Sequence, residues 1–295
     1  MNKRKKNKKP KSRQATPPKA QPVSQPIWEN NKGHTKNRWR LVVLFILIAL
    51  GGVYLQRLLR PVPNIPTFSY KVIAEHPHDP QSFSQGLVLE NGYVWESTGK
   101  YGKSKLRKIE LKTGNVVNEI DLNKAYFGEG LALANDKLYQ LTWKAGKCFV
   151  YDRELKKINE FNYEGQGWGI TFDGTDLLVS DGTSQIQFFD PATFELQRVI
   201  SVHHGHKRIS RLNELEYADG MLYANQLGSD SIYKISPKDG AVQAIIDLTG
   251  IWPTKERPND GLLNGMAVDA KQRKIILTGK YCPKIFEVQF EEVNR

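Results

Sequence analysis

The chain has 295 residues, two cysteines and a formal net charge of +12. The whole excess sits in residues 1–40, where 13 Lys or Arg face one acid, Glu29, while the other 30 basic and 30 acidic residues cancel. A neutral folded part excludes a basic nucleic-acid-binding domain, and two cysteines exclude a disulfide framework or a cysteine-ligated zinc site, so Cys148 and Cys282 read as two buried thiols.

Residues 1–40 lack the apolar content to fold and read as a basic, disordered cytoplasmic tail. From Leu41 to Leu55 there is no charge; Arg40 and Arg57 bracket the run, and Trp39 and Tyr54 are placed as interfacial anchors. Residues 41–59 are expected to form one transmembrane signal anchor. The basic cluster before it keeps the N-terminus cytoplasmic and makes the C-terminal part extracytoplasmic. The alternative is secretion after cleavage, but the basic region is long for a signal peptide and Ala49-Leu50-Gly51 is a weak cleavage site. Residues 60–69, with Pro61, Pro63 and Pro66, read as a stiff extended linker.

From residue 70 to 295 short β-branched runs alternate with turn residues. Leu87–Trp95 is a strand, an Asn91-Gly92 turn and a strand; similar hairpins surround Asn135-Asp136, Asp173-Gly174 and Asp219-Gly220. A third strand follows in each unit (148–151, 186–189, 231–235) and a fourth closes it (116–120, 158–161, 198–201, 244–247). The last unit offers only 265–268, 275–278 and 285–290, and Tyr70–Ile73 is a spare strand that would complete it and cover its edge. The expected fold is all-β: a five-bladed β-propeller closed by an N-terminal strand and preceded by a single transmembrane helix.

A motif repeats at roughly 40–50-residue spacing, the range of propeller blades. Its copies are Phe83-Ser84-Gln85-Gly86-Leu87, Phe127-Gly128-Glu129-Gly130-Leu131, Gly167-Trp168-Gly169-Ile170, Leu212-Asn213-Glu214-Leu215 and Leu263-Asn264-Gly265-Met266. In register they place Gln85, Glu129, Trp168, Asn213 and Asn264 in one column at the start of each innermost strand. The second strands run back to the same face, adding Trp143 and Lys280 at one mouth of the ring, with Phe83 and Phe127 just outside the column. Packing alone would keep such a column uniform, so its divergence points to a site. His203-His204-Gly205-His206 reads as a solvated loop with no carboxylate to complete a metal site. No phosphate loop and no Ser-His-Asp signature is present.

As an ordered set these motifs, with Tyr126, Glu216-Tyr217 and Thr278-Gly279-Lys280, resemble the plant-type (papaya-type) glutaminyl-peptide cyclotransferases, the glutamine cyclotransferase family, over about residues 70–290. The resemblance implies a five-bladed propeller that converts an N-terminal glutamine of peptides or proteins to pyroglutamate with release of ammonia. It places the catalytic glutamate on Glu129, the pocket aromatics on Phe83, Phe127, Trp143 and Trp168, and polar partners on Gln85, Asn213, Asn264 and Lys280. Leu227 and Cys282-Pro283 depart from the family pattern, where a tryptophan and Trp-Pro are expected.

The implied chemistry needs one carboxylate to take a proton from the substrate amine and deliver it to the leaving nitrogen, the role expected of Glu129. Asn213, Asn264 and Lys280 would donate to the developing oxyanion, and Gln85 would hold the substrate backbone. No cofactor and no metal is required; the protein is expected to be a monomer held to the membrane by its one helix, with no nucleic-acid partner. Two other readings remain open from the residues: a non-catalytic peptide-binding propeller, and a calcium-dependent lactonase-like propeller using Glu129, Asn213 and Asn264 as ligands.

Overall fold

The computed structural model of the chain describes residues 32–59, 62, 64–269, 271–272 and 274–293. Residues 1–31, most of the expected tail, lie outside that set. Two compact units are present, up to Leu59 and from Arg60 onward. Among the described residues the first contains one helix, α1 (Lys32–Leu59). Its stretch Arg38–Gln56 is long and apolar enough to cross a membrane, with a mean hydropathy of 1.9. Nineteen residues at a 1.5 Å rise reach about 28 Å, close to the thickness of a hydrocarbon core. Within the described residues the helix extends on the N-terminal side of residue 41 as far as Lys32.

The second unit is all-β. It opens with β1 (Thr67–Pro77) and continues through β2 (Ser84–Glu90), β3 (Tyr93–Thr98), β4 (Lys105–Glu110) and β5 (Val116–Asp121), a four-stranded antiparallel meander. β6 (Gly128–Ala134), β7 (Lys137–Thr142), β8 (Lys147–Tyr151) and β9 (Lys157–Asn162) form the second meander. β10 (Ile170–Phe172), β11 (Leu177–Ser180), β12 (Gln185–Phe189) and β13 (Leu196–Ser201) form the third. A small hairpin, β14 (His203–His204) and β15 (Lys207–Arg208), holds the histidine motif. The fourth meander is β16 (Leu212–Ala218), β17 (Met221–Gln226), β18 (Ser231–Ile235) and β19 (Val242–Asp247). β20 (Leu263–Asp269), β21 (Lys274–Gly279) and β22 (Lys284–Glu292) end the fold.

The turns follow from residue type. Asn91-Gly92, Asn135-Asp136 and Asp219-Gly220 all take positive φ at both positions, the geometry whose twist matches the flanking strands. At Asp173 the carboxylate instead accepts from the backbone N–H of Thr175 and Asp176, at 2.8 and 2.7 Å. That local turn shortens the third hairpin to three residues in β10.

β1 pairs antiparallel with β22 from Phe68↔Glu292 to Pro77↔Lys284, with a bulge at Ile73. The spare strand is therefore longer than Tyr70–Ile73, because the nine-residue β22 offers it a partner along its whole length. Its first residues also pair in parallel with β19, Thr67↔Ile245 and Phe68↔Ile246, which joins the last two groups into one eight-stranded sheet. No sequence pattern announces that parallel pair.

The first strands neighbour one another in a closed circuit: β2 by β6, β6 by β10, β10 by β16, β16 by β20, and β20 back to β2. Apolar clusters fill the spaces between successive groups: Trp95 and Leu106 meet Leu138 and Phe149, and Leu87 and Val94 meet Ala267 and Ile276. Burial falls outward, from β6, almost wholly buried, to β9, whose face is exposed and carries Lys157 and Glu160. Charges on such edges oppose sheet-to-sheet association. Glycine follows the column residue where strands crowd: a Cβ on Gly169 would stand 2.1 Å from the Asn213 carbonyl oxygen, and one on Gly130 2.7 Å from the Trp168 oxygen. In the fourth motif that place is Glu214, whose carboxylate accepts from the backbone N–H of Met266 at 3.0 Å, tying β16 to β20. Cys148 and Cys282 are free, buried, and packed in different clusters.

Candidate active site

The column residues sit where the ladder slips. Register jumps occur between Ser84 and Gly86, between Gly128 and Leu131, between Leu212 and Leu215, and between Leu263 and Met266. Gln85, Glu129, Asn213 and Asn264 thus fall in bulges, where a strand bends and re-aims a side chain. Trp168 precedes β10 and is held by its backbone N–H to the Ser180 carbonyl, 2.9 Å. The bulges open a cavity of about 310 Å³. Of the nine residues singled out in sequence, eight line it: Phe83, Gln85, Phe127, Glu129, Trp143, Trp168, Asn213 and Lys280.

Asn264 is the exception. Its amide nitrogen donates to the Ser84 carbonyl (3.0 Å) and to Gln85 Oε1 (3.1 Å), so both its hydrogens are engaged and it stands behind Gln85. The expectation of a donor pointing into the cavity is corrected to that extent. With Gln85 Oε1 accepting from Asn264, the Gln85 amino group is left for Glu129, whose pKa it acts to lower.

Glu129 is buried, and that burial raises its pKa well above the ordinary carboxylate range against the charge of Lys280 and the Gln85 hydrogen bond. Burial lowers the pKa of the Lys280 ammonium, against the pull of Glu129. Asn213, also buried, has a side-chain carbonyl with no partner among the described residues.

One wall is aromatic. Phe83 and Phe127 meet edge to face at 6.0 Å, and Phe127 and Trp143 at 5.5 Å. Lys280 Nζ lies 4.7 Å from the centre of the Phe83 ring, so the cation rests on the wall. Both indole N–H groups, Trp143 at 2.7 Å and Trp168 at 3.1 Å, donate to Gln166 Oε1, which fixes the two rings as a pair. Leu227 also lines the cavity and widens it relative to the expected tryptophan.

Sequence reasoning missed Gln166, and it missed Lys100, Asp260 and Leu262, which complete the lining. Lys100 and Asp260 lie far apart in sequence and meet at 3.6 Å. The signal for Gln166 is its place two residues before Trp168, beside a glycine.

Beneath Phe83 lies a second buried carboxylate, Glu96. It accepts from Ser82 and Ser84 at 2.6 Å each, from Arg107 Nε at 2.8 Å and from His78 Nε2 at 3.0 Å. His78 Nδ1 faces the Cys282 carbonyl at 2.6 Å, so both ring nitrogens meet acceptors and the ring is an imidazolium. Burial would raise Glu96, but His78 and then Arg107 hold it well below the usual carboxylate range. This cluster anchors Ser82 and Ser84, the neighbours of Phe83 and Gln85.

Comparison with known proteins places the chain in a family. The sequence model of the glutamine cyclotransferase family matches residues 45–290. A glutaminyl-peptide cyclotransferase from Arabidopsis thaliana is 39% identical over 231 residues, 76% of this chain and 72% of the relative. The crystal structure of Myxococcus xanthus glutaminyl cyclase superposes with a TM-score of 0.73 at 33% identity, covering 78% of this chain and 100% of that one. A match across nearly the whole β unit, at that identity, means that the chain belongs to the glutamine cyclotransferase family.

Proposed function

We propose that the chain is a glutaminyl-peptide cyclotransferase whose five meanders are the blades of a propeller, with β1 completing the fifth, and whose reaction centres on Glu129. The observation that carries this is a buried carboxylate of raised pKa, facing a cation and an aromatic wall across a cavity. The substrate α-amine attacks Cδ of its own side-chain carboxamide; the new C–N bond closes a five-membered ring and the old one breaks, releasing ammonia. The reactants belong to one residue, so the walls of Phe83, Phe127, Trp143 and Trp168 act by holding the folded-back rotamer.

Glu129 takes the amine proton and returns it to the leaving nitrogen. An amine titrates at about 7.7–8.0, and a buried carboxylate of raised pKa exchanges protons with it at less cost than an exposed one. Lys280 and the Asn213 amide stand at the cavity to meet the oxyanion, while Gln85, held by Asn264, keeps Glu129 oriented. Lys280 supplies a positive charge at the Glu129 carboxylate, which disfavours the lactonase-like reading in which a calcium ion would take that place.

The helix Arg38–Gln56 fits a membrane anchor that leaves the basic tail cytoplasmic and residues 70–295 extracytoplasmic, on a protein acting as a monomer. The test of function is ammonia release from the amidated peptide Gln-Ala-Ala by the full chain in detergent. A product lighter by one ammonia, formed equally with chelator, is expected. No release would leave a peptide-binding cavity without turnover.

A further inference from the structure

A second, larger cavity of about 900 Å³ adjoins the first, and Phe83 and Lys100 line both. Its wall is the turn between β3 and β4. That turn is fixed rather than loose: Lys103 N–H donates to the Lys100 carbonyl at 3.0 Å, and buried Ser104 donates its hydroxyl to the same carbonyl at 2.8 Å. Ser104 Oγ also accepts from the Gly128 N–H at 3.0 Å, which ties the turn to the strand carrying Glu129. The Tyr101 ring packs edge-on against Phe127 at 5.4 Å, and Tyr281 against Phe83 at 5.2 Å.

Four cations border this cavity, Lys100, Lys103, Lys105 and Arg107, against two carboxylates, Asp79 and Asp121. Arg107 is engaged by Glu96 and Asp79, and Lys105 by Glu119 and Asp121, both at 2.9 Å. Lys100 has one long contact, 3.6 Å to the exposed Asp260, and its ammonium lies 4.1 Å from the centre of the Phe83 ring. Lys103 is exposed and has no ion pair among the described residues. Two cations on a rigid turn therefore face the space that opens directly from the glutamine cavity.

We propose that this groove receives the substrate chain beyond its N-terminal glutamine, and that Lys100 and Lys103 select peptides with an acidic residue in the two positions after it. The proposal rests on the cyclase reading above. A chain whose first residue fills the inner cavity leaves past Phe83 and Lys100, where Tyr101 and Tyr281 offer flat contact and the two lysines offer charge.

The experiment compares kcat/KM of the full chain in detergent on three amidated tripeptides, Gln-Ala-Ala, Gln-Glu-Glu and Gln-Lys-Lys, the amide removing the terminal carboxylate. Gln-Glu-Glu is expected to exceed Gln-Lys-Lys by about tenfold at low ionic strength, since each exposed pair adds a modest attraction or repulsion, and concentrated salt should shrink the ratio. Lys103→Glu should bring the ratio to one or below. A ratio near one in the wild type, with Gln-Ala-Ala turned over, overturns the groove and leaves the cyclase standing. A ratio unmoved by Lys103→Glu overturns the assignment to this turn. No turnover of any of the three overturns the cyclase reading and the groove with it.

Discussion

Two buried carboxylates lie close in this fold and are treated in opposite ways. Glu96 accepts four hydrogen bonds and faces two cations, His78 and Arg107, so its charge is met on every side and its pKa is pulled down. Glu129 is buried with only Lys280 and the Gln85 amide set against that burial, which they do not offset, so its pKa is pushed up. Burial is common to both; what differs is the number of donors fixed around the charge. A carboxylate whose partners are complete holds structure, whereas one left under-solvated can give and take a proton.

That contrast is broken or sharpened first by Glu129→Gln. The amide keeps the shape and cannot shuttle a proton, so kcat should fall by about 10³-fold or more, while Tm stays within a few degrees. Substantial residual turnover of Gln-Ala-Ala would remove Glu129 from the chemistry.

Glu96→Gln should do the reverse. It leaves His78 and Arg107 buried without their carboxylate, a loss of roughly 3–5 kcal/mol and a fall in Tm on the order of 10 °C. Activity per folded molecule should change far less than stability. The pH dependence separates the two sites by sign. The Glu96 pKa is depressed from 4.5, so its contribution is present above that pH and is lost as pH falls below it. The Glu129 pKa is raised from 4.5, so its contribution is present below that pH and is lost as pH rises through the folded value. Wild-type Tm minus variant Tm, plotted from pH 3 to 8, should therefore rise for Glu96→Gln and fall for Glu129→Gln. Parallel plots would mean that the two carboxylates share one environment.

The same contrast marks what was legible in the sequence. Glu129 stands in a repeated motif, and the Asn-Gly and Asp-Gly turns that frame each repeat declare their φ angles, so the meanders and the column could be read. Glu96 belongs to no repeat. Its partners His78 and Arg107 lie 18 and 11 residues away; Arg107 meets it only after β3 and β4 have paired, and His78 comes to it from just past the end of β1. The bulges were half visible, as glycines after the column residues, but how a bulge turns a side chain was not, which is why Asn264 was placed at the cavity rather than behind Gln85. The Lys100–Asp260 contact joins distant loops and leaves no local trace.

The smallest effect expected is at the wall. Trp168→Ala removes an indole from the cavity and frees one hydrogen bond on Gln166, which Trp143 retains at 2.7 Å. Because Trp143 stays pinned and Glu129 is untouched, the proton path survives and only the hold on the glutaminyl side chain weakens. KM for Gln-Ala-Ala should rise by about tenfold, the loss of one aromatic face worth roughly 1–1.5 kcal/mol, with kcat within a factor of about three. A fall in kcat equal to that in kcat/KM would show that the ring acts in the transition state, gripping the folded-back rotamer. An unchanged KM would place Trp168 with the packing residues and leave Phe83, Phe127 and Trp143 as the binding wall, so the comparison of KM with kcat decides which half of the site the indole serves.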